Sequence, residues 1–145
     1  MSIHKINPEQ ILDLKTIETI LGEKKKLALS PEAKKKIVTC REYLDKKIKS
    51  GKESIYGINT GFGALYNKTI PEKELEKLQE NLVMSHACGV GEEVPKEIVK
   101  LMLLLKIQGL SYGYSGVSVE LVERLGMPLG EAIVILSELQ PEQKF

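Results

Sequence analysis

Two segments of the chain carry side chains able to do acid–base or recognition chemistry. The first reads Ile55-Tyr56-Gly57-Ile58-Asn59-Thr60-Gly61-Phe62-Gly63-Ala64-Leu65-Tyr66. Three glycines fall within seven positions, interleaved with a phenol and an amide. Glycine admits positive φ and lets a backbone approach a ligand closely. A loop of this composition can close over a bound molecule. Tyr56 offers a hydroxyl for proton transfer and Asn59 an amide for holding a polar group. The spacing is not Gly-x-Gly-x-x-Gly ahead of a helix, and no Gly-Lys-Ser/Thr follows, so dinucleotide and P-loop readings are excluded. On residue types alone, such a segment is a surface turn as readily as a site.

The second segment reads Leu78-Gln79-Glu80-Asn81-Leu82-Val83-Met84-Ser85-His86-Ala87-Cys88-Gly89-Val90-Gly91. His86 stands near the end of an apolar helical pattern, with two glycines after it. By itself a histidine there reads as a structural or capping group before it reads as a catalyst. The only other histidine, His4, lies in a terminus expected to be mobile. No histidine pair has metal-ligand spacing, so no metal site is expected. One internal histidine without a nucleophile elbow gives no support to Ser-His-Asp chemistry.

The elements that must position these segments read as helices. Asn7-Pro8-Glu9-Gln10 has the grammar of a helix start, followed by Ile11, Leu14, Ile17, Ile20 and Leu21 and a stop at Gly22. Ser30-Pro31-Glu32 starts a second helix, with Ala33, Ile37, Cys40, Leu44 and Ile48 on one stripe and Ser50-Gly51 at its end. Cys40 lies on the stripe and reads as core. Pro71-Glu72 opens a third helix with Leu75, Leu78 and Leu82 inward. Pro95-Lys96-Glu97 opens a fourth, whose residues 98–110 are apolar on nearly all sides, broken by Lys100, Lys106, Gln108 and Gly109. A helix of that kind is buried in a larger bundle or an oligomer interface. Val117, Leu121, Val122 and Leu125 suggest a fifth. The expected class is mainly α.

Composition narrows the function classes. The 145 residues are 42% hydrophobic and 28% charged, which fits a folded domain. Lys plus Arg number 21 against 20 Asp plus Glu, a net charge of +1 that gives no support to a nucleic-acid binder. With no Trp and two Phe, a stacking platform for bases is not expected either. No signal-peptide pattern and no apolar run of membrane-spanning length occurs. Cys40 and Cys88 lack metal or redox spacing and read as reduced thiols. A cytoplasmic protein without nucleic-acid or membrane partners is the expectation.

Taken together, the motifs resemble the N-terminal region of the aromatic amino-acid ammonia-lyase family, and most closely its histidine ammonia-lyase branch. Tyr56-Gly57-Ile58-Asn59-Thr60-Gly61-Phe62-Gly63 is similar to the family's Tyr-Gly-x-Asn-Thr-Gly-Phe-Gly loop. The second segment is similar to the next family motif, and Gly113-Tyr114-Ser115-Gly116-Val117 to a third. The resemblance covers roughly residues 5–125. It implies the helical fumarase/aspartase-like fold of the lyases, with residues 1–125 as their N-terminal region and 126–145 as a divergent tail.

The resemblance also implies a reaction: removal of ammonia from an aromatic L-amino acid to give the trans-α,β-unsaturated acid, urocanate in the case of L-histidine. Tyr56 would be the base that takes the β-proton. An ordinary phenol, with a pKa near 10, is a poor base at neutral pH, so that role calls for neighbouring donors or cations. Asn59 and Gly63 would contribute to substrate binding. His86 would lie beside the substrate ring, and Ser85-His86 is the pair of histidine-specific members, so L-histidine or a similar small amino acid is the implied ligand.

One part of the family pattern is missing. Its electrophile is a methylidene-imidazolone made from an internal Ala-Ser-Gly, and no Ala-Ser-Gly occurs in these 145 residues. Ser115-Gly116, preceded by Tyr114, is the nearest approach. No cofactor is therefore expected in this chain. The expectation is an N-terminal lyase fragment, inactive alone, that joins a homo-oligomer or a lyase core. The alternatives are a degenerate paralogue that binds a ligand or a lyase, and a small helical bundle of other role.

Overall fold

A computed structural model describes residues 2–51 and 54–126. Apart from Gly126, the divergent tail expected at 126–145 lies outside the described residues, as does the apolar run at 133–136. In chain order the elements are β1 (Ile3–Ile6), α1 (Leu14–Gly22), β2 (Lys26–Leu29), α2 (Pro31–Ser50), α3 (Leu75–His86), α4 (Lys96–Ser111) and α5 (Val119–Leu125). Short 3-10 turns occupy Gly63–Leu65 and Glu72–Glu74. The mainly helical class agrees with the sequence.

Two compact units emerge, one joining the residues up to Glu42 with those from Glu93 on, the other Tyr43–Glu92. The first unit holds the apolar core. Ile6, Ile20, Ile37, Leu104, Ile107, Leu110 and Val122 are fully or almost fully buried, with Leu12, Ile17 and Leu27 among the residues packed against them. Each such side chain contributes about 1.5–3 kcal/mol by leaving water.

The sequence did not foretell the strands. β1 and β2 pair in parallel, with Ile3 opposite Lys26 and Ile6 opposite Leu29. Parallel neighbours need a long crossover, and α1 makes it. Four-residue strands are too short for an alternation to stand out. His4 is accordingly held in β1 rather than in a mobile terminus.

The helix expected at Asn7 begins at Asp13 instead, where the Asp13 carboxylate accepts the Thr16 N–H at 2.7 Å. At Asn7 the side-chain oxygen takes the Glu9 N–H at 2.9 Å, and the Gln10 N–H closes on the Asn7 carbonyl at 3.1 Å. That Asx turn competes with the helix and ends after one turn. The register of burial shifts with it: Ile11 and Leu14 face solvent, while Leu12 packs on the core.

The other helices start closer to expectation. The Ser30 hydroxyl accepts the Ala33 N–H and caps α2, and Ala33 and Ile37 lie in the core. Cys40 is half-buried on the same stripe. Ser118 caps α5 by accepting the Leu121 N–H. The third helix opens later than Pro71-Glu72 suggested, because Glu72–Glu74 winds as a 3-10 turn before α3.

In α4 one face is buried through Leu103, Leu104, Ile107, Gln108, Leu110 and Ser111. Ile98, Met102 and Leu105 on another face stay exposed. The motif 113–117 links α4 to α5. A side chain at Gly113 would place its Cβ 2.6 Å from the Lys36 carbonyl oxygen, and Arg41 Nη1 donates to the Gly116 carbonyl at 3.3 Å.

The second unit is built differently. Among its described residues only Asn59, Thr60 and Gly61 are buried. Leu44, Ile48, Leu75, Leu78 and Leu82 are half-buried. Hydrogen bonds, rather than a closed apolar core, organise the segment that carries the candidate site.

Candidate functional site

Residues 54–70 fold back on themselves. Thr60 and Thr69 form an antiparallel bridge, the Gly61 N–H donates to the Lys68 carbonyl at 2.9 Å, and the Ile70 N–H donates to the Asn59 carbonyl at 2.8 Å. Within this frame residues 55–58 make a tight turn, with the Ile58 N–H on the Ile55 carbonyl at 3.0 Å. Tyr56 projects from that turn. The Asn59 side-chain oxygen closes it from the other side by accepting the Ile55 N–H at 2.6 Å.

The glycines serve two needs. At Gly61 a Cβ would lie 2.6 Å from the Leu65 carbonyl oxygen, so the loop can only fold this tightly without a side chain. Gly63 has φ +55°, a left-handed conformation that opens the 3-10 turn. The Tyr56 ring meets the Phe62 ring edge to face, with centroids 6.3 Å apart.

This folding leaves a concavity of about 560 Å³ lined by Ser54, Tyr56, Thr60, Gly63, Tyr66 and Asn67. Its size is in the range of small-molecule sites. Hydroxyls from Ser54, Tyr56 and Tyr66 and the Asn67 amide offer both donors and acceptors. Tyr56 itself is 65% exposed. Of the residues singled out by sequence, Tyr56 and Gly63 therefore share one wall. Asn59 is buried behind it and is engaged with the Ile55 backbone.

Ser85 and His86 do not line this concavity. They occupy the last turn of α3, where helix carbonyls lack partners. Ser85 Oγ donates to the Leu82 carbonyl at 2.8 Å. His86 Nδ1 lies 2.8 Å from the same oxygen and 3.0 Å from Ser85 Oγ. A carbonyl can only accept, so Nδ1 is the donor in that contact and Nε2 is left to face outward. The imidazole is exposed.

Sequence reasoning overlooked Ser54, Tyr66 and Asn67. Tyr66 was signalled as the second phenol of the Gly-rich segment. Ser54 and Asn67 enter only because the Thr60–Thr69 bridge folds the segment, with Ser54 Oγ 3.2 Å from Thr69 Oγ1. No group of three His, Cys, Asp or Glu residues able to hold a metal occurs among the described residues. No described helix is long and apolar enough to cross a membrane. Ser115-Gly116 falls in the tight α4–α5 link, with Tyr114 where an alanine would be needed.

Comparison with known proteins places these features. The family profile described as aromatic amino acid lyase matches residues 12–134. Histidine ammonia-lyase of Legionella pneumophila (strain Corby) is 46% identical over 125 residues, 86% of this chain and 25% of that protein. The solved structure of histidine ammonia-lyase from Trypanosoma cruzi is similar at a TM-score of 0.74 and 32% identity, over 89% of this chain and 25% of the other. That of ergothionase from Treponema denticola, an ergothioneine-degrading enzyme, has a TM-score of 0.81 and 25% identity over 88% of this chain and 25% of the other. The chain spans about a quarter of the length of the relatives it matches.

Proposed function

The chain belongs to the aromatic amino acid lyase family, and from that premise we propose that it supplies the Tyr56 loop and the His86 helix end of a histidine ammonia-lyase. The observation that carries this reading is Tyr56 on the wall of a 560 Å³ concavity, in a chain 46% identical over 125 residues to a histidine ammonia-lyase.

In the proposed reaction L-histidine loses ammonia to give trans-urocanate. Tyr56, as phenolate, takes a proton from the substrate β-carbon. The electrons of that C–H bond become the new double bond as the Cα–N bond breaks. Asn59 holds the turn on which Tyr56 stands, and Gly63 allows the loop backbone to lie against the substrate. His86 Nε2 accepts an N–H from the substrate imidazole, and Ser85 steadies the ring through Nδ1. In the family a methylidene-imidazolone would make the amine a leaving group, and these 145 residues hold no Ala-Ser-Gly from which to form it.

The second unit buries no large apolar side chain among its described residues. A catalytic tyrosine needs a shielded site with fixed donors, so Tyr56 works when further lyase chain covers it. The exposed apolar face of α4 favours the same association, either with copies of itself or with a lyase core. A cytoplasmic location fits a soluble catabolic enzyme of this kind.

The test is urocanate formation from L-histidine, followed by ultraviolet absorbance. The chain alone is expected to produce none. Adding a histidine ammonia-lyase core that lacks its own front region should restore turnover, and Tyr56→Phe should abolish the rescue. Turnover by the chain alone would overturn the fragment reading. Tight binding to the core without rescue would favour the second reading, a non-catalytic paralogue, which the missing Ala-Ser-Gly motivates.

A further inference from the structure

Tyr56 stands on the concavity wall without a hydrogen bond of its own. Among the described residues its hydroxyl makes none, and its one ring contact is with Phe62. An exposed phenol turns freely among its side-chain rotamers unless packing selects one. The two rings meet edge to face, with an interplanar angle of 72°, an arrangement that the aromatic quadrupole favours.

Phe62 is held more firmly than Tyr56. It is half-buried, and its Cε1 lies 3.9 Å from where a Cβ at Gly57 would stand. Its ring edge therefore packs beside the same 55–58 turn that carries Tyr56. Its backbone runs between two fixed points. The Gly61 N–H before it donates to the Lys68 carbonyl, and the Phe62 carbonyl accepts the Leu65 N–H at 3.0 Å. Gly63, the next residue, lines the concavity.

We propose that Phe62 is the positioning residue of the candidate base: its ring fixes the Tyr56 side chain in one rotamer at the concavity, so that the phenol meets a bound substrate without first having to be ordered. The proposal rests on the reading of Tyr56 as the base of a lyase. Phe62 touches no reacting atom in this role. Ordering a reacting group in advance acts on the chemical step, so loss of the ring should lower kcat and leave KM. Phe62→Leu fills part of the space but has no ring to meet Tyr56 edge to face. Phe62→Tyr keeps the ring.

The first arm of the test is NMR of the full chain without substrate, with ring-labelled tyrosine and phenylalanine. Phe62 and Phe145 are the only phenylalanines, so ring-to-ring signals are few, and Tyr56→Phe identifies those of Tyr56. Cross-relaxation between the two rings is expected, with the Tyr56 ring protons displaced from free-tyrosine positions by the Phe62 ring current. Phe62→Leu should return them there, and Phe62→Tyr should not. Absence of cross-relaxation in the wild-type chain would overturn the proposal, whether or not the variants fold. The second arm is turnover of L-histidine with the lyase core that lacks its front region. Phe62→Leu should lower kcat about three- to tenfold at unchanged KM, and Phe62→Tyr should keep it. An equal kcat in Phe62→Leu, or a loss confined to KM, would overturn the proposal while leaving the lyase reading intact. No turnover even with the wild-type chain would refute the lyase reading itself, and with it the catalytic purpose of the contact.

Discussion

The Asn59 side-chain oxygen accepts the Ile55 backbone N–H at 2.6 Å, closing the turn from which Tyr56 projects. The bond joins a buried amide to the residue immediately before the candidate base. It fixes the loop backbone one residue ahead of Tyr56.

Replacing Asn59 should therefore loosen the turn before it affects anything else. Asn59→Leu leaves the Ile55 N–H without its acceptor and is expected to cost about 1–3 kcal/mol. Asn59→Asp keeps an acceptor oxygen and should cost less. Hydrogen exchange at the Ile55 amide checks this directly, and equal protection in all three proteins would refute it.

Gly113 and Lys36 set a second constraint. Gly113 has φ +74°, and its Cβ would lie 2.6 Å from the Lys36 carbonyl oxygen. Gly113→Ala combines a strained conformation with a backbone clash and should lose at least about 2 kcal/mol. Urea denaturation measures it. Gly109→Ala, with nothing within 4 Å of its Cβ, should be neutral or stabilising because alanine is the better helix former.

The Ser30 hydroxyl accepts the Ala33 N–H at the start of α2. Ser30→Ala should destabilise by about 1 kcal/mol, and Ser30→Asp should restore most of it. A melting series of the three proteins is the measurement.

Stability should also fall on mild acidification. Burial, with Lys25 second, lowers the His4 pKa below its ordinary 6.5. Between the two values the unfolded chain binds more protons, so stability rises with pH across that window. The contribution is complete above pH 6.5, is lost as pH falls toward the folded value, and levels off below it. His4→Gln should flatten this part of the profile. Asp13 and Glu32, both lowered by hydrogen bonds, act in a separate window below their ordinary 3.8 and 4.5.

Ile98, Met102 and Leu105 expose an apolar stripe along α4. The chain should self-associate through it, and Met102→Lys with Leu105→Glu should shift light scattering toward the monomer. A wild-type chain that is monomeric throughout the concentration range would count against this.

Much of this protein can be read from residue order because it depends on local chemistry. Ser30 before Pro31, the Ala33 and Ile37 stripe and the Pro95 start of α4 announce themselves through capping and period. The motif around Tyr56 and the Ser85-His86 pair likewise carry the resemblance to the lyase family in their residue order. Other features depend on partners far along the chain. At Asn7 a helix start and an Asx turn share one grammar, and the turn prevails because β1 must continue to pair with β2. Asn59 becomes a buried turn lock only when residues 54–70 fold back through Thr60 and Thr69. Gln108 breaks an apolar pattern in the sequence, and only the packing of α4 in the first unit buries it beside Ile107. Periodicity and capping act over a few residues, whereas strand pairing, close approach and burial are set by which distant segments meet.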